Sequence, residues 1–159
     1  MPKKTRRRAR AANVTVNEWT YLPDILKKMR GLSREEVHIG VEGEGEGAMI
    51  AAIHEFGSVK AGIPARSFIG TGKKKAQAAI SKLAKAGVNE IVLKNQTATG
   101  LLIAIGAIGT NRVLKNFDKI RTPELSPIYA KRKGNNKILV QEQKLRDSIT
   151  SILVRRGGR

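Results

Sequence analysis

The longest apolar run in the sequence is Leu101–Ile108, and it constrains the fold more than any other feature. It is far short of the roughly 18 residues needed to cross a bilayer, so it predicts a buried core segment. It lies within a helical pattern from about Thr97 to Ile120, and the run itself is apolar nearly all round the helix. Small residues within it, at Gly100, Ala104, Gly106 and Ala107, would let neighbouring elements approach closely. The sequence therefore predicts a buried central helix, ended before Pro123.

A second long helix is predicted just before the first, from about Lys73 to Lys94, with a turn near Gln96. Its apolar stripe consists of Ala76, Ile80, Leu83, Ala84, Val88, Ile91 and Val92. The opposite side carries Lys74, Lys75, Lys82 and Lys85. This segregation is typical of an amphipathic helix that packs on a core.

Shorter elements flank the two long helices. Pro23 suits the first turn of a helix that ends at Gly31, and the alternation in Glu36–Glu42 places Val37, Ile39 and Val41 on one face of a strand. The other predicted segments are a loop at Gly43–Gly47, a helix at Ala48–Phe56, a loop at Gly57–Gly62, an extended stretch at Ile63–Ile69, a helix from Ser126 to Lys133, a turn at Gly134–Asn136, a helical turn at Lys144–Asp147 and a strand at Ser148–Val154.

This order of elements predicts an α+β fold, in which a small, mainly antiparallel sheet is packed by two long helices and several shorter ones. The length of 159 residues suits one domain. We expect a disordered basic arm at residues 1–13, a single structural domain at 14–154 and a basic tail at 155–159.

The formal net charge of +18 attracts polyanions. Much of it lies at the termini, in Lys3, Lys4, Arg6, Arg7, Arg8 and Arg10, and in Arg155, Arg156 and Arg159. The arms contain no aromatic ring on which a base could stack, so any nucleic-acid contact would be with phosphates. Two interpretations stay open: the arms contact phosphates, or they are solvated or dock onto protein.

The sequence lacks the residue types that several kinds of functional site require. Without cysteine there is no disulfide, thiolate nucleophile or sulfur-ligated metal. The N-terminus has the positive flank of a signal peptide, but Asn13–Tyr21 is too polar for its apolar centre, and a mitochondrial presequence is a weaker alternative. We expect no membrane association.

Gly70-Thr71-Gly72-Lys73 is a partial match to a phosphate-binding loop. The full motif needs glycine where Ser67 stands and Ser or Thr where Lys74 stands, so a glycine-containing helix start is favoured. We expect no hydrolysis of nucleoside triphosphates.

Two groups of residues are candidate metal ligands. His54-Glu55 begins like a zinc-protease helix, but Ser58 stands where the second histidine is needed. Glu42, Glu44 and Glu46 could hold calcium if extended, although alternating glycines favour a solvated loop. The sequence predicts no enzyme, no cofactor and no metal.

Four blocks resemble a known family when they are taken together. They are Ala51–Gly57, Ile63–Gly70, Leu125-Ser126-Pro127 with Lys131–Gly134, and Leu145–Ile149. In this order they resemble the phage virion-morphogenesis family, the tail-completion or neck proteins of long-tailed phages, and are similar to the broader group of head–tail joining proteins. The chain departs from the family at Leu139–Gln143, where a turn glycine is usual.

The resemblance implies a non-enzymatic structural protein that forms a ring, suggested to be sixfold, at the head–tail junction. Its partners would be copies of itself, other tail or neck proteins and packaged DNA in the lumen, and its location the virion, assembled in the host cytoplasm. The alternative is a basic nucleic-acid-binding protein that contacts phosphates through its terminal arms.

Individual residues follow from these blocks. Arg66, with His54 and Glu55, is predicted to lie at a subunit interface, so Arg66→Ala should leave the fold intact and impair assembly. Phe56, Gly57, Pro64 and Phe68 are predicted to form a structural loop, with both phenylalanines anchored in the core.

Overall fold

The computed structural model describes residues 3–8, 15–94, 96–133 and 143–157, and confirms the α+β class. In chain order the elements are β1 (Lys3–Arg8), β2 (Thr15–Thr20), α1 (Leu22–Arg34), β3 (Glu35–Val41), α2 (Glu46–Phe56), α3 (Ile69–Leu93), α4 (Ala98–Lys119), α5 (Pro127–Lys133), α6 (Gln143–Asp147) and β4 (Ile149–Arg155). The predicted turn at Gly134–Asn136 and most of Leu139–Gln143 lie outside the described residues.

α3 and α4 form an antiparallel helix pair whose contact depends on glycine. Gly72 faces Val113 near one end, and Gly87 faces Leu101 near the other. A Cβ at Gly87 would lie 2.2 Å from a methyl carbon of Leu101. α4 begins after Thr97, whose hydroxyl oxygen accepts the Gly100 N–H at 3.1 Å, as expected of a helix N-cap.

β3 and β4 form an antiparallel sheet that packs on α4. Val41 pairs with Ile149, Ile39 with Ser151 and Val37 with Leu153. α4 meets this face with its small residues, because a Cβ at Gly106 would lie 2.7 Å from the Ser151 hydroxyl and one at Gly109 would lie 2.2 Å from Ile39. The predicted central helix is thus confirmed in its position, with α3 and the sheet packed closely against it. The prediction that Leu101–Ile108 is buried is correct only in part, because 58% of the Ile103 surface is exposed.

The core divides into two clusters of buried side chains. The larger joins α2, the N-cap of α3, α4, α6 and β4 through Ala51, Phe68, Val113, Phe117, Leu145 and Ile149. The rings of Phe68 and Phe117 stack edge to face with centroids 5.2 Å apart. The smaller contains Ile91, Ala98 and Leu101 where α3 and α4 join.

The N-terminal segment differs from the predicted arm in one respect. Lys3–Arg8 is a strand paired antiparallel with Thr15–Thr20, because backbone pairing needs no apolar side chain. A two-stranded hairpin is only marginally stable in water, so disorder of the arm in the free subunit stays a prediction. Arg10 and the other residues between the two strands lie outside the described residues. Within the described chain, no helix combines the length and apolar character needed to cross a membrane.

Candidate functional site

Glu55, near the end of α2, caps the start of α3. Its Oε1 accepts hydrogen bonds from the Ser67 hydroxyl at 2.6 Å and the Gly70 N–H at 2.8 Å. Its Oε2 accepts the Ile69 N–H at 2.9 Å. The first amides of a helix have no partner within it and carry the positive end of its dipole. The carboxylate of Glu55 is thus bonded inside the subunit, and an additional contact of the half-buried Glu55 with a neighbouring subunit stays a prediction.

The hydrogen bonds of Glu55 also help to choose between the two interpretations of Gly70-Thr71-Gly72-Lys73, a phosphate-binding loop and a glycine-containing helix start. A phosphate loop cradles its ligand with amides at a helix start, whereas the amides of Ile69 and Gly70 are bonded to Glu55. Gly72 is buried, and a Cβ there would lie 2.9 Å from the Val113 Cα. The glycine thus serves helix packing, in agreement with the favoured interpretation as a helix start.

Arg66 is buried, with 6% of its surface exposed. Its Nε donates to the Pro123 carbonyl at 2.9 Å and its Nη2 to the Glu124 carbonyl at 3.0 Å. Burial lowers the pKa of the Arg66 guanidinium from its ordinary value, but arginine titrates so far above neutrality that the group stays charged. The assignment of Arg66 to an interface is corrected, because its donors bind carbonyls of its own chain.

His54 is half-buried on α2, next to these contacts. Its carbonyl accepts the Arg66 N–H at 2.7 Å, which joins the end of α2 to the segment before α3. A contact of the His54 side chain with a neighbouring subunit stays a prediction.

Asn116 is a buried polar residue that the sequence interpretation missed. Its Nδ2 donates to the Phe68 carbonyl at 2.9 Å and to the Thr71 hydroxyl at 2.6 Å, and its Oδ1 accepts from Lys75. These bonds tie α4 to the first turn of α3. The sequence pattern that could have revealed Asn116 is an amide side chain placed between the apolar residues Val113 and Phe117 of the same helix.

The loop after α2 is a structural turn, as predicted for Gly57 and Phe68. Gly57 has φ of +77°, and a Cβ there would lie 2.8 Å from the Ala65 nitrogen. Ser58 and Ile63 exchange backbone hydrogen bonds of 2.8 and 2.9 Å, closing the turn. Phe68 is fully buried, whereas Pro64 is exposed.

The prediction that Phe56 anchors this loop in the core is wrong, because 80% of its surface is exposed. Phe56 follows the buried Ala51 by five residues, which places it roughly 140° around the helix from the core. Met49, Ala52 and Phe56, spaced three and four residues apart, form an exposed apolar stripe on α2, and Val59 in the next turn is fully exposed. We call these four residues the α2 apolar face.

Other exposed large apolar side chains lie on separate elements. At the start of α1 they are Tyr21, Leu22 and Leu26. A contiguous exposed apolar patch, rather than a scattered single side chain, is typical of a surface that binds another protein.

The acidic loop shows no organised cation site. Glu42 and Glu44 are exposed in the loop and Glu46 lies in the first turn of α2. Over the described residues, no group of three or more potential metal ligands lies together.

Residues from each of the four sequence blocks that carry the family resemblance meet in the larger core cluster, whereas Lys131 and Arg132 of the third block are exposed. Ala51, Phe68, Leu145 and Ile149 are buried there, and Leu125 packs against them. Glu55 and Arg66 add polar bonds between the same segments. The blocks are thus parts of one structural unit, although no protein-family model matches the chain, and neither a curated protein nor a solved structure is significantly similar to it.

Proposed function

We propose that this chain is a structural, non-catalytic subunit of a tailed-phage virion, a tail-completion or neck protein that assembles into a ring at the head–tail junction. The observation that carries the proposal is the convergence of the four blocks on one core cluster. A shared family fold would require residues of these separate blocks to pack together. Here they jointly form the centre of the fold.

Exposed apolar side chains support the assembly part of the proposal. A closed ring of identical subunits uses a heterologous interface, in which two different surfaces of the subunit meet. The α2 apolar face is one such surface, and Tyr21, Leu22 and Leu26 on α1 supply another. The sixfold symmetry, the neighbouring tail or neck proteins and the location in the virion rest on the family resemblance.

The proposal is tested first by the mass of the purified full-length protein, from light scattering during size-exclusion chromatography, and by negative-stain images. We expect closed rings, and we expect Phe56→Asp to yield monomers because it places a charge in an apolar contact. The matched control is Leu93→Asp, since Leu93 is 78% exposed but lies at the far end of α3.

The second test is mass spectrometry of purified phage particles that carry the gene. We expect the chain in mature particles or in isolated tails. A protein that is monomeric at all concentrations and missing from particles would contradict the proposal, as would turnover of nucleoside triphosphates that is lost in Lys73→Ala.

A further inference from the structure

Two clefts lined by basic side chains meet at the end of α1. The first, of about 540 Å³, lies between α1 and the start of α4, and Lys27, Arg30 and Arg34 are among its lining residues. The second, of about 900 Å³, lies where α1 meets the ends of β3 and β4, and its lining includes Arg34, Arg155 and Arg156. Because Arg34 lines both, we treat them as one surface, the α1 basic surface.

The fold places these side chains together for a local reason. Lys27, Arg30 and Arg34 are spaced three and four residues apart, so they lie on one side of α1, and all three are exposed. Gly31 lies between them, and a Cβ there would be 2.7 Å from the Ala98 Cβ, so glycine allows α4 to approach α1. The three side chains extend over roughly 10 Å of helix.

Acidic groups at this surface are few and already bonded. Glu36 accepts from the Arg156 Nε at 2.7 Å and lies 3.3 Å from His38, and Glu35 accepts the Thr99 hydroxyl at 3.0 Å. The basic side chains therefore outnumber the carboxylates, and the surface is positive in a chain whose net charge is +18.

We propose that the α1 basic surface binds the phosphate backbone of duplex DNA. Duplex DNA carries one negative charge per about 1.7 Å of axis, so several phosphates can face the roughly 10 Å of α1. Among the described residues that line the clefts, the His38 imidazole is the only ring on which an unpaired base could stack. This favours backbone contact over single-strand binding. Lys27, Arg30 and Arg34 belong to the folded domain, so their contribution does not depend on the N-terminal arm or on ring assembly, although Arg155 and Arg156 of the predicted basic tail also line the surface.

The test compares two variants of the full-length protein that remove equal charge. The cleft variant carries Lys27→Gln, Arg30→Gln and Arg34→Gln, and the control carries Lys74→Gln, Lys82→Gln and Lys85→Gln on the exposed side of α3. Affinity for a short duplex is measured by fluorescence anisotropy between about 50 and 200 mM salt. We expect the salt slope to fall by roughly 2 to 3 in the cleft variant, with at least about tenfold weaker binding, and to change little in the control.

A charge-preserving variant, Arg30→Lys with Arg34→Lys, should bind duplex DNA almost as the wild type does. Circular dichroism and melting temperature establish that each variant is folded; if the triple variant is not, Arg34→Gln alone should lower the slope by about 1. Equal losses in the cleft and control variants would mean that net charge alone drives binding, and would overturn the proposal. Unchanged binding in the cleft variant, or tighter binding to single strands than to the duplex, would overturn it as well.

Discussion

Glu55, Arg66 and Asn116 join separate elements through hydrogen bonds that packing buries wholly or in part. Glu55 binds amides of α3, Arg66 binds carbonyls beyond α4, and Asn116 binds the Phe68 carbonyl. Forming such a bond adds about 1 kcal/mol, but losing one partner leaves the other buried and unsatisfied, at a larger cost. Each of these side chains therefore matters more to stability than its number of contacts suggests.

We predict that Arg66→Ala destabilises the folded subunit by about 1–3 kcal/mol, because two partly buried carbonyls lose a charged donor. Arg66→Lys should recover only part of the loss, since an ammonium cannot reproduce the paired geometry of the guanidinium. The measurement is urea unfolding followed by circular dichroism. Unchanged unfolding together with failed assembly would instead support the interface role first predicted for Arg66.

At the surface, Arg146 of α6 forms a bidentate salt bridge with Asp118 of α4. Its Nε donates to Oδ1 at 2.9 Å and its Nη2 donates to Oδ2 at 3.2 Å. The hydrogen bond from Arg146 lowers the pKa of the Asp118 carboxyl. A lowered folded-state pKa contributes stability that is present above the ordinary aspartate pKa of about 3.9 and is lost as the pH falls through the folded value.

We therefore predict that Asp118→Asn melts at a lower temperature than the wild type near neutral pH, and that the difference shrinks below about pH 4. The effect should be small, because the pair is exposed and screened by solvent. Melting curves across this pH range measure it, with Glu44→Gln as the control on an exposed loop carboxylate. A difference that stays constant into acid would contradict the assignment.

Among the elements, the α3–α4 pair was the part most accessible to prediction. Its apolar stripe and its run of small residues depend only on spacing along each helix, and both long helices begin within a few residues of the expected positions. The strand Glu35–Val41 was accessible for the same reason, because alternation is local.

The contacts where α2, α3 and the segment after α4 meet were harder to predict from the sequence, because they depend on which segments lie together in the fold. From the sequence, the Glu55 carboxylate could face a neighbouring subunit or cap a helix. Its capping role depends on the placement of the start of α3 beside the end of α2, which no local pattern shows. Phe56 was misplaced because apolar character indicates the core only when the helix phase also points there, and Ala51 sets that phase. Arg66 was misplaced because nothing local shows that the carbonyls of Pro123 and Glu124 lie beside it.

The glycine contacts between α3 and α4 give a prediction at this scale. Gly72→Ala should destabilise the protein by about 1–2 kcal/mol, because its Cβ would meet the Val113 backbone, which cannot move aside like a side chain. Gly47→Ala in α2 is the control, since a Cβ there meets nothing within 4 Å. It should leave stability unchanged or raise it by up to about 1 kcal/mol. Urea unfolding measures the free energy of unfolding of both variants. An equal change in the two variants would contradict close packing at Gly72.

Over the whole molecule, a formal charge of +18 opposes the association of identical subunits. Apolar contacts such as those proposed for the α2 apolar face must overcome this repulsion. The same charge favours the binding of DNA to the α1 basic surface. Assembly and DNA binding should therefore respond to salt in opposite directions.

We predict that raising the salt concentration from about 0.1 to about 1 M increases the fraction of assembled subunits in a sample free of nucleic acid, because the screening length falls from about 10 to about 3 Å. Apolar contacts survive this change, whereas repulsion between subunits does not. Over the same range the affinity for duplex DNA should fall steeply. Sedimentation velocity measures the assembly, and Phe56→Asp should stay monomeric at both concentrations. Dissociation of wild-type assemblies at high salt would mean that ionic contacts hold the subunits together, and would contradict an apolar interface through Phe56.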